Sequence, residues 1–591
     1  MLDNEIIRKV RGLIPNFNST WVLLFICGVN LFIMHYYILF TCKLDYENDF
    51  SLIIDNLLGI CFDVLIVALF TYFLSGKKLK LYLTLTFIIT WIWSLSSIIY
   101  SRFFFNYLSI SAVGQGGALS DDLIIKCILA NIHLTDLYFP CVVIVFFLLL
   151  PNVSDKNFLI HKVVLLFLLL LPIDIGAHVA CCITNPKLRY TSYIFHRIYN
   201  NHFVKHLNLS NPKAAHFIRG ELRTIGTELL FNIQGNIKLT KEQIAQIKSI
   251  QSNSNNSVSD STIVSQSANI IFILVESYMS FTSDMIIDGK EVTPFLNSLK
   301  KDSTIYYNGK MRKNVTLGGS SDGQFIYMTG LLPLRSILTL TKAHHVTLPG
   351  LPKILGRESR MIIPTVTSIW DQDEMCRQYG FDKLYARNDY SQEIDENLTD
   401  EQVFQLAIQK DKVSSQPFFS IILTMSMHQP YEEQIDSTFL IKNPSITDEL
   451  ANYLNVCHYT DRQIEKYFHY LIESGLYNNS LIIIAADHPV DNTDFGGVCN
   501  DVPLYIVNPG VDPSIMWQGE CNQVDVYTTI LDLVGCKSEW YGLGHSLVSS
   551  EYNNTVSTET WDVSEWILMG DYFHNNHFFK SSETKKIDVT Y

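Results

Sequence analysis

Five long apolar stretches crowd the first 185 residues, at about 20–41, 51–75, 81–101, 123–150 and 160–181. Each is long enough to cross a hydrocarbon core of ~30 Å as a helix, which takes about 20 residues. A single such stretch fits a buried helix of a soluble protein; five in succession do not. The fourth is interrupted by Lys126, His133 and Asp136, so its clean apolar run is only Leu137–Leu150. Only 17% of the 591 residues are charged, where a soluble chain carries about a quarter. A five-helix transmembrane bundle is therefore expected over 1–185.

Loop charges orient it. Arg8, Lys9 and Arg11 precede the first stretch, Lys77, Lys78 and Lys80 separate the second from the third, and Lys156 and Lys162 the fourth from the fifth. The alternate loops hold Asp45, Glu47 and Asp49, then Asp121 and Asp122. The basic loops share one side, predicted cytoplasmic together with the N-terminus, so everything after about residue 185 is expected outside. The first stretch is too long, and those after it too numerous, for a cleavable signal peptide. Nearly all of the net charge of −14 lies beyond residue 185. An acidic outer portion argues against nucleic acid, which binds a basic face. No Cys-x-x-Cys pair is present, excluding a zinc ribbon; Cys499 and Cys521 are one candidate disulfide pair in an exported domain.

Residues 186–250 are polar and amphipathic, with Arg197, Lys205, Arg219 and Arg223 among aromatic residues. They suit either a helix along the membrane surface or one packed on the outer domain. A Ser/Asn-rich break at 251–268 ends this linker. Beyond it, buried strands are expected at Asn269–Val275, Met361–Val366, Phe418–Thr424, Leu481–Ala485 and Val502–Val507. Helices are expected at about 293–301, 346–356, 400–410 and 446–474. Apolar runs without alternation, separated by helices, predict a mainly parallel sheet covered on both faces, here over 269–549. The tail 550–591 is expected to add edge strands.

Ligands in such folds sit beyond the carboxyl ends of the strands, and four segments meet that condition. In IIFILVES the strand ends in Glu276, as apt for a turn as for a metal. TLGGSSDGQF places Ser320, Ser321 and Asp322 at an expected helix start, where an ordinary N-cap and a phosphate site use the same residues. LTMSMHQPY brings His428 after a strand. LIIIAADHPV runs into Asp487 and His488, an oxygen and a nitrogen donor suited to Zn2+ or Mn2+. Together Glu276, Ser320, Asp487 and His488 can supply three protein ligands and a nucleophilic oxygen to one divalent metal ion, which would activate the hydroxyl.

The order strand–Glu, GGSSDGQ, His-x-Pro-aromatic and strand–Asp-His resembles the alkaline phosphatase/sulfatase superfamily. Within it the chain is most similar to lipoteichoic acid synthase-like membrane enzymes, which include phosphoglycerol transferases and, more distantly, phosphoethanolamine transferases. The segments SIWDQDEMCRQYGFDKLY, GLYNNSLIIIAADH and QVDVYTTILDLVG extend the resemblance. By position it makes Glu276, Asp487 and His488 metal ligands and puts Ser320 in the place of the nucleophilic threonine. Trp370, His428 and Gln372 become substrate-binding residues, His428 also protonating the leaving oxygen. Gln372 stands where the synthases carry arginine, and His344 or His345 are candidates for the histidine missing upstream of Trp370. Asp322 is placed outside the ligand set. Asp525 and His545 are the nearest suggestions of a second metal set, Asp525 fitting a helix cap better, so one ion, Mn2+ or Zn2+, is expected.

The resemblance implies a multi-pass enzyme of the bacterial inner membrane, with its catalytic domain outside the cytoplasm. It would move a phosphoglycerol or phosphoethanolamine headgroup from a membrane phospholipid donor to an envelope glycan or glycolipid acceptor, through phosphorylated Ser320. Alternatives are a phosphodiesterase or phosphatase of the same superfamily and a non-catalytic envelope scaffold protein. A sulfatase is disfavoured, because Ser320 is followed by Ser-Asp-Gly-Gln and not by the x-Pro-x-Arg that sulfatase maturation requires.

Overall fold

The computed structural model describes, with short interruptions, residues 19–41, 50–113, 131–150, 220–256 and 264–576, along with isolated positions such as 216 and 217. The chain divides into two compact units, Met1–Val113 with Cys127–Phe231, and Gly114–Lys126 with Asn232–Tyr591.

In the first unit, helices Ser19–Thr41, Phe50–Thr71 and Gly76–Phe104 coincide with the first three apolar stretches. Among the described residues two segments are long and apolar enough to cross a membrane, Val22–Thr41 and Gly76–Arg102. Within the second helix, Gly59–Thr71 is a shorter apolar run among the described residues. The fourth stretch is shorter than expected: a single 3-10 turn, Leu134–Leu137, leads into helix Tyr138–Leu149. The acid that breaks its apolar run is used internally, since Asp136 accepts two hydrogen bonds from Arg102 at 2.7 and 2.8 Å. The fifth stretch, 160–181, and the loop residues Arg8, Lys9, Arg11, Asp45, Glu47, Asp49, Asp121, Asp122, Lys156 and Lys162 lie outside the described residues.

A buried polar network also sits in this unit. His216 is fully buried between two carboxylates, Nδ1 3.1 Å from Glu221 and Nε2 3.3 Å from Glu228. A neutral imidazole donates through one nitrogen only, so His216 is a cation if both acids are ionised. Tyr107 stacks on its ring at 4.9 Å, and Trp93 donates to Glu221 at 2.8 Å. Asp63 accepts from the backbone N–H groups of Glu221 and Leu222, capping helix Glu221–Ile233. Gly220, at φ +84°, makes this approach possible, because a Cβ there would lie 2.6 Å from the Asp63 carboxylate. The start of the linker is thus part of the first unit. Its residues 186–215 lie outside the described residues.

The second unit is built on an eight-stranded sheet. In chain order the strands are β1 (Asn269–Val275), β4 (Tyr306–Arg312), β5 (Glu358–Ile362), β6 (Lys383–Tyr385), β7 (Phe418–Leu423), β8 (Ser480–Ala486), β9 (Val502–Val507) and β10 (Cys521–Asn522), while β2 (Ile286–Ile287) and β3 (Lys290–Glu291) form a separate hairpin. Their order across the sheet is β10-β4-β9-β8-β1-β7-β5-β6. Only β9 runs against its neighbours β4 and β8; the remaining pairs are parallel. Every residue of β1, β8 and β9 is buried, as their unbroken apolar runs require for a sheet covered on both faces. The second predicted strand, Met361–Val366, begins earlier than expected, at Glu358, and ends at Ile362. Helices Pro294–Lys301, Leu351–Leu355, Asp400–Asp411 and Asp448–Glu473 fill the predicted helical segments.

The tail departs from expectation. Helices Thr558–Met569 and Tyr572–Asn575 replace the edge strands. Val563, Ile567 and Leu568 are buried together with Thr560 and Ser564, a three-to-four-residue spacing that makes one helical face. Ser557 caps the helix by accepting from the Thr560 N–H.

Candidate metal and phosphoryl-transfer site

The central pair β1 and β8 is locked in parallel register, with Leu274 opposite Ala485 and Val275 opposite Ala486. The ladder runs one step further, the Asp487 N–H donating to the Val275 carbonyl at 3.2 Å. Glu276 and Asp487 therefore leave adjacent strands side by side, at the carboxyl edge where ligands gather in parallel sheets. Both are buried, 4% and 2% exposed. With His488 they form the sole cluster of potential metal ligands among the described residues, with one donor atom of each within 4.8 Å of the others.

Ser320 opens helix Ser320–Thr329. Gly319, at φ +49°, reverses the chain before it, a conformation that suits glycine. Gly323 lets the helix lie on the end of β8, since a Cβ there would be 2.3 Å from the Asp487 carbonyl oxygen. As a result Ser320 Oγ stands 3.1 Å from Glu276 Oε2 and 3.1 Å from His488 Nε2. His488 Nδ1 lies 2.9 Å from the Pro489 carbonyl. A carbonyl only accepts, so Nδ1 carries the proton and Nε2 presents its lone pair to Ser320, the arrangement of a metal-ligating histidine.

The electrostatics of the cluster favour positive charge beside the two acids. Burial and the neighbouring Glu276 charge push Asp487 up to about 7. Burial also opposes ionisation of Glu276, but the His488 and His428 imidazoles and the Ser277 hydroxyl hold its carboxyl below the usual range. Two buried carboxylates, an imidazole lone pair and a hydroxyl suit a borderline divalent ion such as Zn2+ or Mn2+. The residues present fit the expected metal.

The remaining predicted residues occupy the surroundings. His428 Nδ1 is 2.8 Å from the Gln429 carbonyl, so Nδ1 carries a proton and Nε2 is the nitrogen through which the ring exchanges one. Trp370 is half-buried on a turn where it and Asp371 both take positive φ, +52° and +47°. His344 Nε2 is 3.8 Å from Asp371 Oδ2, so a histidine does stand beside the Trp370 turn. Gln372 is 4% exposed and its amide is engaged by Gln324, one turn beyond Ser320. Asp322 is fully buried and accepts from Thr316, Gly318 and Thr339, organising the turn that delivers Ser320. Asp525 accepts from the Asn522 and His545 N–H groups and from Tyr552, as a helix cap. Cys376, Cys457, Cys521 and Cys536 are free thiols, and Cys499 lies outside the described residues.

Sequence reasoning missed Ser277, Tyr453 and Thr424. Ser277 donates through Oγ to Glu276 Oε1 at 2.6 Å and through its N–H to Asp487 Oδ1 at 2.8 Å. Tyr453 Oη donates to the Ser277 carbonyl and accepts from the Met279 N–H, and Thr424 Oγ1 accepts from the Glu276 N–H. Ser277 directly follows the strand-ending glutamate, a position that could have been singled out. Tyr453 lies 176 residues away on an amphipathic helix and left no local signal.

Comparison with known proteins agrees with this geometry. Residues 268–536 match the Sulfatase family profile. Lipoteichoic acid synthase 2 of Bacillus subtilis is 28% identical over 319 residues, covering 50% of this chain and 49% of its own. The Staphylococcus aureus lipoteichoic acid synthase is 27% identical over 367 residues, covering 55% and 54%. The chain thus spans about half the length of the curated relatives it matches. Among solved structures, the integral membrane protein lipooligosaccharide phosphoethanolamine transferase A from Neisseria meningitidis shares the fold over 88% of this chain and 96% of its own, with TM-score 0.51 and 14% identity. Residues 268–536 thus carry a sulfatase-type domain, and over about half of its length the chain is similar to the lipoteichoic acid synthases.

Proposed function

We propose that this protein is a metal-dependent headgroup transferase of a bacterial inner membrane, multi-pass, with its N-terminus cytoplasmic and its catalytic unit outside. It takes a phosphoglycerol or phosphoethanolamine group from a membrane phospholipid and passes it to a hydroxyl of an envelope glycan or glycolipid. The observation that carries this reading is Ser320 Oγ at 3.1 Å from both Glu276 Oε2 and His488 Nε2, at a helix N-terminus whose dipole favours a phosphoryl group. The lipoteichoic acid synthases and the phosphoethanolamine transferase among its relatives support the substrate class.

One divalent ion, Mn2+ or Zn2+, held by Glu276, Ser320, Asp487 and His488, would lower the hydroxyl pKa and screen phosphoryl charge. Ser320 Oγ bonds to phosphorus and gives up its proton along its hydrogen bond to Glu276. The bond from phosphorus to the diacylglycerol oxygen breaks, and His428 supplies that oxygen's proton. In the second half the acceptor hydroxyl attacks phosphorus and its proton passes to His428, while the bond from phosphorus to Ser320 Oγ breaks and Ser320 takes its proton back from Glu276. Trp370 forms part of the headgroup wall, and a membrane anchor keeps the cleft near a donor that rarely leaves the bilayer.

The test is full-length protein in liposomes containing headgroup-labelled phospholipid, with and without glycan acceptor. Label should appear on the Ser320 peptide and then on the glycan, and Ser320→Ala should show neither. Label released only into water would favour the hydrolase. Wild-type transfer by Ser320→Ala would remove Ser320 from the mechanism.

A further inference from the structure

We infer that Ser277 is a positioning residue that aims both carboxylates of the metal site, and that its strained backbone is retained for that purpose. This rests on the metal-site reading above and extends it to a residue that is not itself among the expected ligands but bonds two of them.

Three observations converge on Ser277. Its hydroxyl donates to Glu276 Oε1 and its N–H to Asp487 Oδ1, so one residue holds one oxygen of each acid. Asp487 Oδ1 takes a second N–H, from His488 at 2.7 Å. Glu276 Oε2 faces Ser320, and Asp487 Oδ2 lies 3.7 Å from His488 Nε2. Ser277 thus fixes the orientation of both carboxylates by holding one oxygen of each, and Glu276 Oε1, held in this way, lies 3.6 Å from His488 Nε2. Next, Ser277 has φ +49°, in the left-handed region that a non-glycine residue occupies at a cost. Both donors reach their carboxylates from this conformation. Finally, the surroundings hold the conformation in place, with Tyr453, itself fully buried, bonding the Ser277 carbonyl and the Met279 N–H.

Groups that orient metal ligands typically change metal affinity 10–100-fold when removed. A residue kept for the fold would instead be one whose strain relief and hydroxyl loss are read out in stability. The two roles separate in Ser277→Gly, which relieves the positive φ and deletes the hydroxyl, and in Ser277→Ala, which deletes the hydroxyl alone.

The experiment is calorimetric titration of Mn2+, and separately Zn2+, into metal-free full-length protein in detergent, with the metal-free melting temperature measured in parallel. Both variants are expected to bind about 10–100-fold more weakly, and Ser277→Gly to melt, metal-free, no lower than wild type. Equal affinity in wild type and both variants would overturn the inference and leave the metal site standing. A lower metal-free melting temperature in Ser277→Gly would assign Ser277 to the fold and overturn it too. Wild-type protein that takes up neither ion would overturn the metal site itself, and this inference with it.

Discussion

Gln324 and Gln372 exchange reciprocal amide hydrogen bonds, each nitrogen 3.1 Å from the other residue's oxygen. One residue lies on the Ser320 helix and the other begins the helix after the Trp370 turn. With both side chains buried, Gln372 spends its polar atoms inside the domain. Gln372→Leu leaves Gln324 without that partner, a loss of about 1–3 kcal/mol. Thermal melting should show it as a lowered transition, while KM for phospholipid changes by less than a few-fold. A large rise in KM with unchanged melting would return Gln372 to the substrate.

Removal of metal should stop turnover. Wild-type protein is expected to retain close to one equivalent of Mn2+ or Zn2+ by elemental analysis, and chelation should abolish transfer reversibly. Asp487→Asn removes a ligand charge from the buried cluster and should leave substoichiometric metal. Two equivalents per chain would contradict the one-ion site.

The His216 cation between Glu221 and Glu228 makes a separate forecast for the first unit. His216→Ala deprives the two buried acids of the cation between them, and breaking a buried pair typically costs about 3–5 kcal/mol. Detergent-solubilised protein should melt earlier or accumulate poorly. Combining His216→Met with Glu221→Leu and Glu228→Met should recover part of the loss, because apolar replacement of a whole ion cluster is often neutral.

Asp461 offers a pH test away from the metal. It accepts from the Phe295 and Leu296 N–H groups at 2.9 and 2.8 Å, and burial pushes its pKa up to about 7. A carboxyl with a raised folded pKa holds a proton that the unfolded chain has already lost, between about pH 4 and 7. Its contribution therefore favours the fold at the acidic end and declines as pH rises through that window. Denaturant midpoints of Asp461→Asn, compared with wild type at pH 5 and pH 8, should gain relative to wild type at pH 8. A constant difference at both values would contradict the shift.

Much of the second unit was legible because its central strands are buried on both faces. β1 and β9 coincide with their apolar runs, and Glu276, Asp487 and His488 stand out as polar residues at strand exits. β4, whose sequence YYNGKMR alternates buried and partly exposed positions, carries no such run and escaped notice. The tail was misread because WDVSEWILM is aromatic and apolar enough for a strand, while its buried positions follow a helical period. Ser277 and Tyr453 matter through contacts spanning 210 and 176 residues, which no local pattern encodes. In the first unit, Asp63, Glu221 and Glu228 belong to no motif of the sequence; their burial depends on which helices pack together.

Because Glu276 and Asp487 follow residues paired across one hydrogen-bonded ladder, the gap between the two acids is inherited from the spacing of neighbouring strands, ~4.8 Å, and owes little to rotamer choice. Mutual repulsion cannot push them apart without unzipping the middle of the sheet. The protein thus holds its charge trap cocked before any ion arrives, and loading it becomes a matter of capture, with no refolding step.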